Sequence, residues 1–429
     1  MRPTLIATLL AGSFLSLNAH ALDLLQVYQE ALANDPVYAS ARATLAAGQE
    51  KTVQGRSLLL PQVAASGARA RTELGTGANI YNKSYGISLS QPLFNWANWE
   101  QFQQGKLASA VSEAQFAQAQ QDLIVRVSQA YFDVLAAQDT LASVQAQKVA
   151  ITEQLASAKR NFEVGTATIT DTHEAQARYD LALAQELAAQ SDLDIKRNAL
   201  QQIIGKPAGE LAGLRPGVQI TPPKPAQIEP WVESAEQQNY GVASQKLALE
   251  SARREIGRNR AGHMPTVTLE AGRNYSDRAT SVTNPSGYSN SAQVRWTVPL
   301  FSGFGTSSRV REAIALEDKA RNDLENVRRT AAQGARQAYL GVTSGLAQVK
   351  ALEAAERSSQ SALDSNRLGY QVGVRINIDV LNAQQQLYTT RQNLAKARYD
   401  TIVNGLKLKS AAGSLKEDDL AQVNGLLKS

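Results

Sequence analysis

Two stretches of this chain, Gln129 to Gly205 and Gln337 to Gly413, match at a constant offset of 208 residues. Both begin Gln-Ala-Tyr (Gln129-Ala130-Tyr131; Gln337-Ala338-Tyr339) and both carry Val-Gly with an aspartate six residues after the glycine (Val164-Gly165…Asp171; Val372-Gly373…Asp379). Upstream, Pro92-Leu93-Phe94 answers Pro299-Leu300-Phe301, and Pro61 answers Pro265. A duplication of this length makes each half one structural unit, with the two units lying side by side.

Proline placement divides each unit. The 13 prolines leave two long gaps, Leu93 to Lys206 and Leu300 to Ser429. A proline inside a helix costs roughly 3 kcal/mol, so these gaps are where long helices can form. The first predicts a helix from about Trp96 to Phe162, a tight turn through Val164 to Thr170 and a return to about Ile204. The second predicts a helix from about Thr306 to Leu368, a turn through Val372 to Ile378 and a return to about Ala412. The longer arms would be roughly 100 Å at 1.5 Å per residue, which calls for coiled-coil packing. Alanine and modest residues (Ala108, Val111, Ala114, Ala117, Leu123, Val127) supply the apolar positions, so neighbouring helices can approach closely. By periodicity alone such a coil is also compatible with a plain structural rod.

The segments before the gaps alternate with period two. From Gln62, Ala64, Ala68, Ala70 and Leu74 alternate with Arg69, Arg71 and Glu73; next, Tyr81, Tyr85, Ile87 and Leu89 alternate with Asn82, Ser84, Ser88 and Ser90. In the second half Val267, Leu269, Ala271 and Tyr275 oppose Thr268, Glu270, Asn274 and Ser276. Tyr288, Ala292, Val294, Trp296 and Val298 then oppose Ser289, Ser291, Gln293, Arg295 and Thr297. This is the strand signature, and the turn-rich runs Gly75–Asn79 and Thr283–Gly287 make each pair a hairpin. Arg273 interrupts an otherwise apolar row and is placed only by proximity to an interface. A lone two-stranded ribbon is unstable in water, so several copies joined about an axis, apolar face to lipid and polar face to a water-filled lumen, are the economical solution. A soluble β-sandwich beside a coiled coil would leave the tyrosine-rich rows without a core.

The remaining features bound the class. Arg2, the apolar run Leu5 to Leu17 and Ala19-His20-Ala21 read as a signal peptide over residues 1–21. Elsewhere no apolar run reaches the 18 residues or so of a spanning helix, leaving strands to make any membrane crossing. With no cysteine, disulfides, thiol catalysis and an N-terminal lipid on cysteine are excluded. The net charge of +5 is dispersed without a basic tract, which argues against nucleic acid. His173 and His263 alone make no metal or catalytic spacing, so neither enzyme activity, metal nor cofactor is expected; His173 reads as a solvated helix residue.

The repeat, the Pro-Leu-Phe strand ends, the Val-Gly-x5-Asp tips, the run Gly369-Tyr370-Gln371-Val372-Gly373-Val374-Arg375 and the stretch from Ile402-Val403-Asn404 to Leu415 together resemble the TolC family of outer-membrane efflux and secretion proteins. The resemblance implies a mainly α fold with β: a homotrimer with four strands per protomer in one 12-stranded outer-membrane β-barrel, continued as a long periplasmic α-helical barrel. It implies a passive exit duct in the outer membrane of a Gram-negative bacterium, joined through a periplasmic adaptor (membrane fusion) protein to an inner-membrane RND or ABC transporter. The lack of cysteine points to the branch without a lipid tether. The corresponding division is signal peptide 1–21, first repeat 22–206 (hairpin about 62–92, helical hairpin about 96–204), Pro-rich crossing segment 207–230, second repeat 231–413 (hairpin about 265–299, helical hairpin about 306–412) and C-terminal segment 414–429. Short helices are expected from about Leu24 to Leu58 and Trp231 to Asn259.

By the same resemblance, Thr170, Asp171, Tyr370 and Arg375 match residues that link the helix pairs at a closed periplasmic entrance, with Arg375 and Tyr370 able to reach Asp171. Asp379 matches the first of two acidic rings at that entrance, while Asn382 stands at the second and departs from the family pattern. Val164-Gly165-Thr166 and Val372-Gly373-Val374 match the adaptor-docking tips; without the resemblance they read as helix C-cap glycines and turns. A non-conducting periplasmic coiled-coil scaffold is the alternative function.

Overall fold

The computed structural model describes residues 21–73, 75–77, 79–278 and 286–428. Residues 1–20, 74, 78, 279–285 and 429 lie outside the described residues, and with them nearly all of the expected signal peptide and part of each expected hairpin turn.

Each half runs two short helices, a β-hairpin and a helical hairpin. The first holds α1 (Leu24–Asn34), α2 (Pro36–Ser57), β1 (Gln62–Glu73), β2 (Asn79–Phe94), α3 (Trp96–Glu163) and α4 (Ile169–Ile204). The second holds α5 (Glu229–Gln238), α6 (Tyr240–Arg260), β3 (Thr266–Arg278), β4 (Gly287–Thr297), α7 (Gly305–Gln371) and α8 (Asn377–Ala411), followed by α9 (Glu417–Asn424). At 68 and 67 residues, α3 and α7 are each roughly 100 Å long. Among the described residues no helix is long and apolar enough to cross a membrane.

Each expected short-helix segment is divided into two helices, for one reason in both copies. Asp35, ahead of Pro36, caps α2 through Tyr38 N–H (3.0 Å) and receives Arg126 Nη2 at 2.6 Å, with its side chain 2% exposed. In the second half Asn239 accepts from Gly241 N–H (2.9 Å) and donates to the Ala411 carbonyl (3.1 Å). A side chain that satisfies the orphan N–H groups of a new helix start makes a break favourable there.

The strands form one antiparallel sheet in the order β1-β2-β3-β4, so β1 and β4 are open edges. Its register corrects one expectation. Directly opposed residues share a face, and Ala64 opposes Ser88, Ala68 opposes Ser84 and Ala70 opposes Asn82. The alanines of β1 therefore join the small, polar face, while Arg69 and Arg71, opposite Lys83 and Tyr81, stand on the face of the apolar rows. Alanine is small enough for either environment, so the row it joins is set by pairing. On that face Leu89, Ala271 and Ala292 align across three strands, as do Tyr85, Tyr275 and Tyr288, with Ile87, Arg273 and Asn290 between the two rows. Trp296 is 71% exposed and Val294 51%. On the other face Arg295 forks onto Glu270 at 3.0 and 2.9 Å.

The main core lies where α1, α3, α4, α8 and α9 meet, far along the helices from the turns that join them. Leu24, Val27, Leu123, Val127, Leu200 and Leu420 are fully buried there. Tyr131 stacks edge-on against Phe132 and donates to the carbonyls of Ala212 (2.7 Å) and Leu22 (3.1 Å), pinning the start of the chain and the crossing segment to α3. Nearby, Tyr399 donates to Asp139 Oδ2 at 2.6 Å; burial, then the adjacent Asp139, pushes its phenol well above the ordinary value, so it remains a donor. Towards the helix tips the core thins to separate apolar layers, such as Ile151, Leu155, Ala158, Ala175, Ala182 and Leu381.

Candidate functional site at the helical tips

Both helical hairpins turn by the same device. After α3, Gly165 adopts φ +78°, and the N–H groups of Thr166 and Ala167 donate to the Asn161 carbonyl at 2.8 and 3.2 Å. After α7, Gly373 adopts φ +79°, and Val374 and Arg375 donate to the Gly369 carbonyl at 2.9 and 3.1 Å. Glycine is needed because the left-handed conformation costs an L-residue roughly 1–2 kcal/mol, not because space is short: a Cβ at either position meets nothing within 4 Å. The turns leave apolar side chains in the open, with Val164 72%, Val372 65% and Val374 75% exposed. Thr166 is exposed and its hydroxyl donates to the Asn161 carbonyl.

The starts of the returning helices differ. Thr168 caps α4 in a reciprocal box, its backbone N–H and hydroxyl donating to Asp171 Oδ2 at 3.0 and 2.8 Å. The matching residue in the second copy is Ile376, which caps nothing. Asp379, the counterpart of Asp171, is thereby left for Arg375, whose Nη1 lies 3.7 Å from Asp379 Oδ2.

The sequence-predicted links are placed as follows. Arg375 pairs with Asp379 on its own helix start, and Asp171 is held by Thr168, so the described contacts within one protomer do not bring Arg375 or Tyr370 onto the Asp171 carboxylate. A capping box between residues three apart costs less ordering than a long side chain reaching across helices. The Tyr370 hydroxyl instead accepts from Asn161 Nδ2 at 3.2 Å, joining α7 to α3, while its ring packs on Leu363, Val380 and Leu387. Thr170 is exposed one residue before Asp171, and His173 is exposed. Asn382 is exposed and accepts from Arg178 Nη2 at 2.9 Å.

Two cross-hairpin contacts escape a reading of the sequence. Asn377, only 1% exposed at the first turn of α8, accepts from Gln154 Nε2 of α3 and donates to the Asp171 carbonyl at 3.4 Å. One turn on, Leu381 enters the apolar layer between α3 and α4, and the Arg178 guanidinium of α4 spans Gln385 and Asn382. A signal for the first was present: Asn377 stands where the other copy has Ile169, a polar residue replacing an apolar one at a matched position.

A half-apolar sheet with two open edges, fused end-on to helical hairpins too long for a globular core, fits an outer-membrane channel protein. Comparison with known proteins agrees. The family model described as outer membrane efflux protein matches residues 27–206 and 231–414, one match per repeat. The outer membrane protein TolC of Vibrio cholerae is 35% identical over 422 residues, covering 95% of this chain and 94% of that protein. The alkaline protease secretion protein AprF of Pseudomonas aeruginosa is 34% identical over 435 residues, 97% of this chain and 90% of that protein. Among solved structures, the outer membrane protein VceC of Vibrio cholerae superposes with a TM-score of 0.79 at 18% identity, covering 91% of this chain and 96% of that one, a likeness of fold. The chain belongs to the outer membrane efflux protein family, whose members are channels, and it is an outer-membrane exit duct for efflux or type I secretion.

Proposed function

We propose that three copies of this chain close one 12-stranded barrel, β4 of each pairing with β1 of the next, and that the helical hairpins continue it as a periplasmic tube. The observation that carries this reading is the sheet itself: among the described residues its two edge strands have no outer neighbour, and a row of Leu, Val, Tyr and Trp side chains is left exposed. Closure removes the edges. The apolar face then meets outer-membrane lipid, and the face of Ser, Asn and the Glu270–Arg295 pair lines the lumen. In this division residues 22–206 and 231–413 are the two repeats, 207–230 the crossing segment and 414–429 the C-terminal segment, with 1–21 removed on export.

The duct performs no catalysis; transport is driven by an inner-membrane RND or ABC transporter, reached through a periplasmic adaptor. The exposed valines at 164, 372 and 374, with Gly165, Thr166 and Gly373, are the adaptor's docking surface, since an apolar tip left bare in each of three protomers calls for a partner. Thr170, Asp171, Tyr370 and Arg375 form the entrance gate through contacts made between protomers or on closure. An Arg375 hydrogen-bonded across such a contact is worth about 0–1 kcal/mol when exposed, a strength an adaptor can outcompete. Asp379 supplies the one acidic ring at the entrance, with Arg375 Nη1 3.7 Å from its carboxylate and the neutral Asn382 at the second position.

A photocrosslinker at Thr166 or Val374 tests the docking reading: an adaptor should copurify with the crosslinked chain, whereas crosslinks only among copies of the chain would contradict it. A non-conducting periplasmic scaffold, the competing function, has no use for a lipid-facing row and predicts a water-soluble chain with no conductance.

A further inference from the structure

On the apolar face of the sheet, at the end away from the helices, the side chains form ordered levels. The lowest is apolar, with Leu89, Ala271 and Ala292 aligned. Above it come Ile87, Arg273 and Asn290, then the tyrosine row Tyr85, Tyr275 and Tyr288, then Arg69, Lys83 and Asp277. The aromatic row is one tight cluster: Tyr85 stacks on Tyr275 at 4.8 Å between centroids, Tyr275 and Tyr288 lie 5.1 Å apart, and the hydroxyls of Tyr85 and Tyr288 are 3.2 Å apart.

Two cations converge on this cluster from opposite sides. Lys83 Nζ lies 5.7 Å from the Tyr85 ring centroid, and the Arg273 guanidinium carbon 4.7 Å from that of Tyr288. Arg273 starts one level below the tyrosines, next to the apolar level, and its guanidinium reaches the Tyr288 ring, as a long cationic side chain does to leave hydrocarbon for headgroups. The N–H donors of the guanidinium are the groups an anion would engage. Neither Arg69 nor Arg273 has an ion-pair partner among the described residues. The acids on this face are Asp277, beside Lys83 and holding the Ser286 hydroxyl at 2.6 Å, and Glu73, beyond Arg71 towards the turn. Four cations (Arg69, Arg71, Lys83, Arg273) against these two acids leave an excess of two positive charges.

We infer that Lys83, Arg273 and the hydroxyls of Tyr85 and Tyr288, with Arg69 at the rim, bind a phosphate of the phosphorylated glycolipid in the outer leaflet. The inference rests on the barrel reading, in which this face meets lipid and the hairpin turns point outwards. The site offers what a phosphate needs at a membrane boundary: paired cations, hydroxyl donors and an aromatic floor that continues into an acyl-binding band. The interfacial position of Arg273, unexplained by strand patterning, follows directly.

The test uses the full-length protein purified in detergent and native mass spectrometry of lipids retained after delivery of bisphosphorylated lipid A or its dephosphorylated form. The wild type should retain the phosphorylated form at least tenfold better. Lys83→Gln with Arg273→Gln should bring the two forms to parity, Arg273→Lys should keep most of the preference, and Arg295→Gln on the opposite face should leave it intact. Equal retention of both forms by the wild type, or an unchanged preference in the double variant, overturns the site. Conductance of the same samples in planar bilayers separates the readings: wild type that conducts without lipid preference refutes the site alone, whereas protein that never inserts refutes the barrel.

Discussion

Replacing Asn377 by alanine should loosen the tip of the second helical hairpin from the first. The buried amide makes two cross-hairpin hydrogen bonds, one accepted from Gln154 and one donated to the Asp171 carbonyl. Each is worth about 1 kcal/mol net, and stranding the Gln154 amide in a half-buried site adds about another. The loss of about 2–3 kcal/mol corresponds to roughly 30- to 150-fold in the balance between docked and undocked tips, at 1.4 kcal/mol per tenfold. In a shut entrance this appears as open-state occupancy in single-channel recordings of the purified protein, which should rise by that order. Asn377→Ile, borrowing the residue of the other copy, should act alike because it too removes both bonds. The heat resistance of the assembly should not change, because the main core around Leu123, Val127 and Leu200 lies far along the helices. Open occupancy within twofold of wild type for both variants, in normally folded protein, would refute the reasoning.

Gly373→Leu should force a left-handed φ at a cost of about 1–2 kcal/mol, which the fold tolerates, yet abolish efflux in susceptibility assays while conductance and assembly persist. Asp379→Asn should remove most of a cation preference that is already modest, since one acidic ring remains and Arg375 sits against it; reversal potentials showing strong selectivity that survives the substitution would contradict this. Tyr131→Phe takes the hydroxyl donor from the buried Ala212 carbonyl, while the Leu22 carbonyl keeps the Ala212 N–H at 3.0 Å, and should destabilise the protein by about 1–3 kcal/mol, read as a lower melting temperature with unchanged conductance.

Much of this architecture is legible from the spacing of prolines and from the repeat. A stretch of over a hundred residues without proline, Ala-rich and interrupted only by Gly105, Gly165 and Gly205, has few folds open to it but a long helical hairpin, and α3 with α4 occupies that gap. What escapes is decided by pairing and by local competition. The face of β1 could not be read from its alanines, because only the register with Ser84 and Ser88 assigns them a side. The breaks at Asp35 and Asn239 depend on which backbone N–H groups a short polar side chain reaches. At the tips, the resemblance implies that Asp171 receives Arg375; within one chain Thr168, closer in sequence, holds Asp171 and Arg375 pairs with Asp379. The working asymmetry of the two copies thus begins with one cap: threonine in the first, isoleucine in the second.

The central claim is that this chain assembles into a continuous conduit whose barrel spans the outer membrane. The most direct measurement is single-channel recording of the detergent-purified protein in planar bilayers, with its assembly state determined on the same sample by native mass spectrometry. The account predicts a heat-resistant trimer that gives discrete conductance steps. A water-soluble monomer that never inserts, or a trimer that inserts without conducting under conditions that undock the tips, including Asn377→Ala, would contradict it.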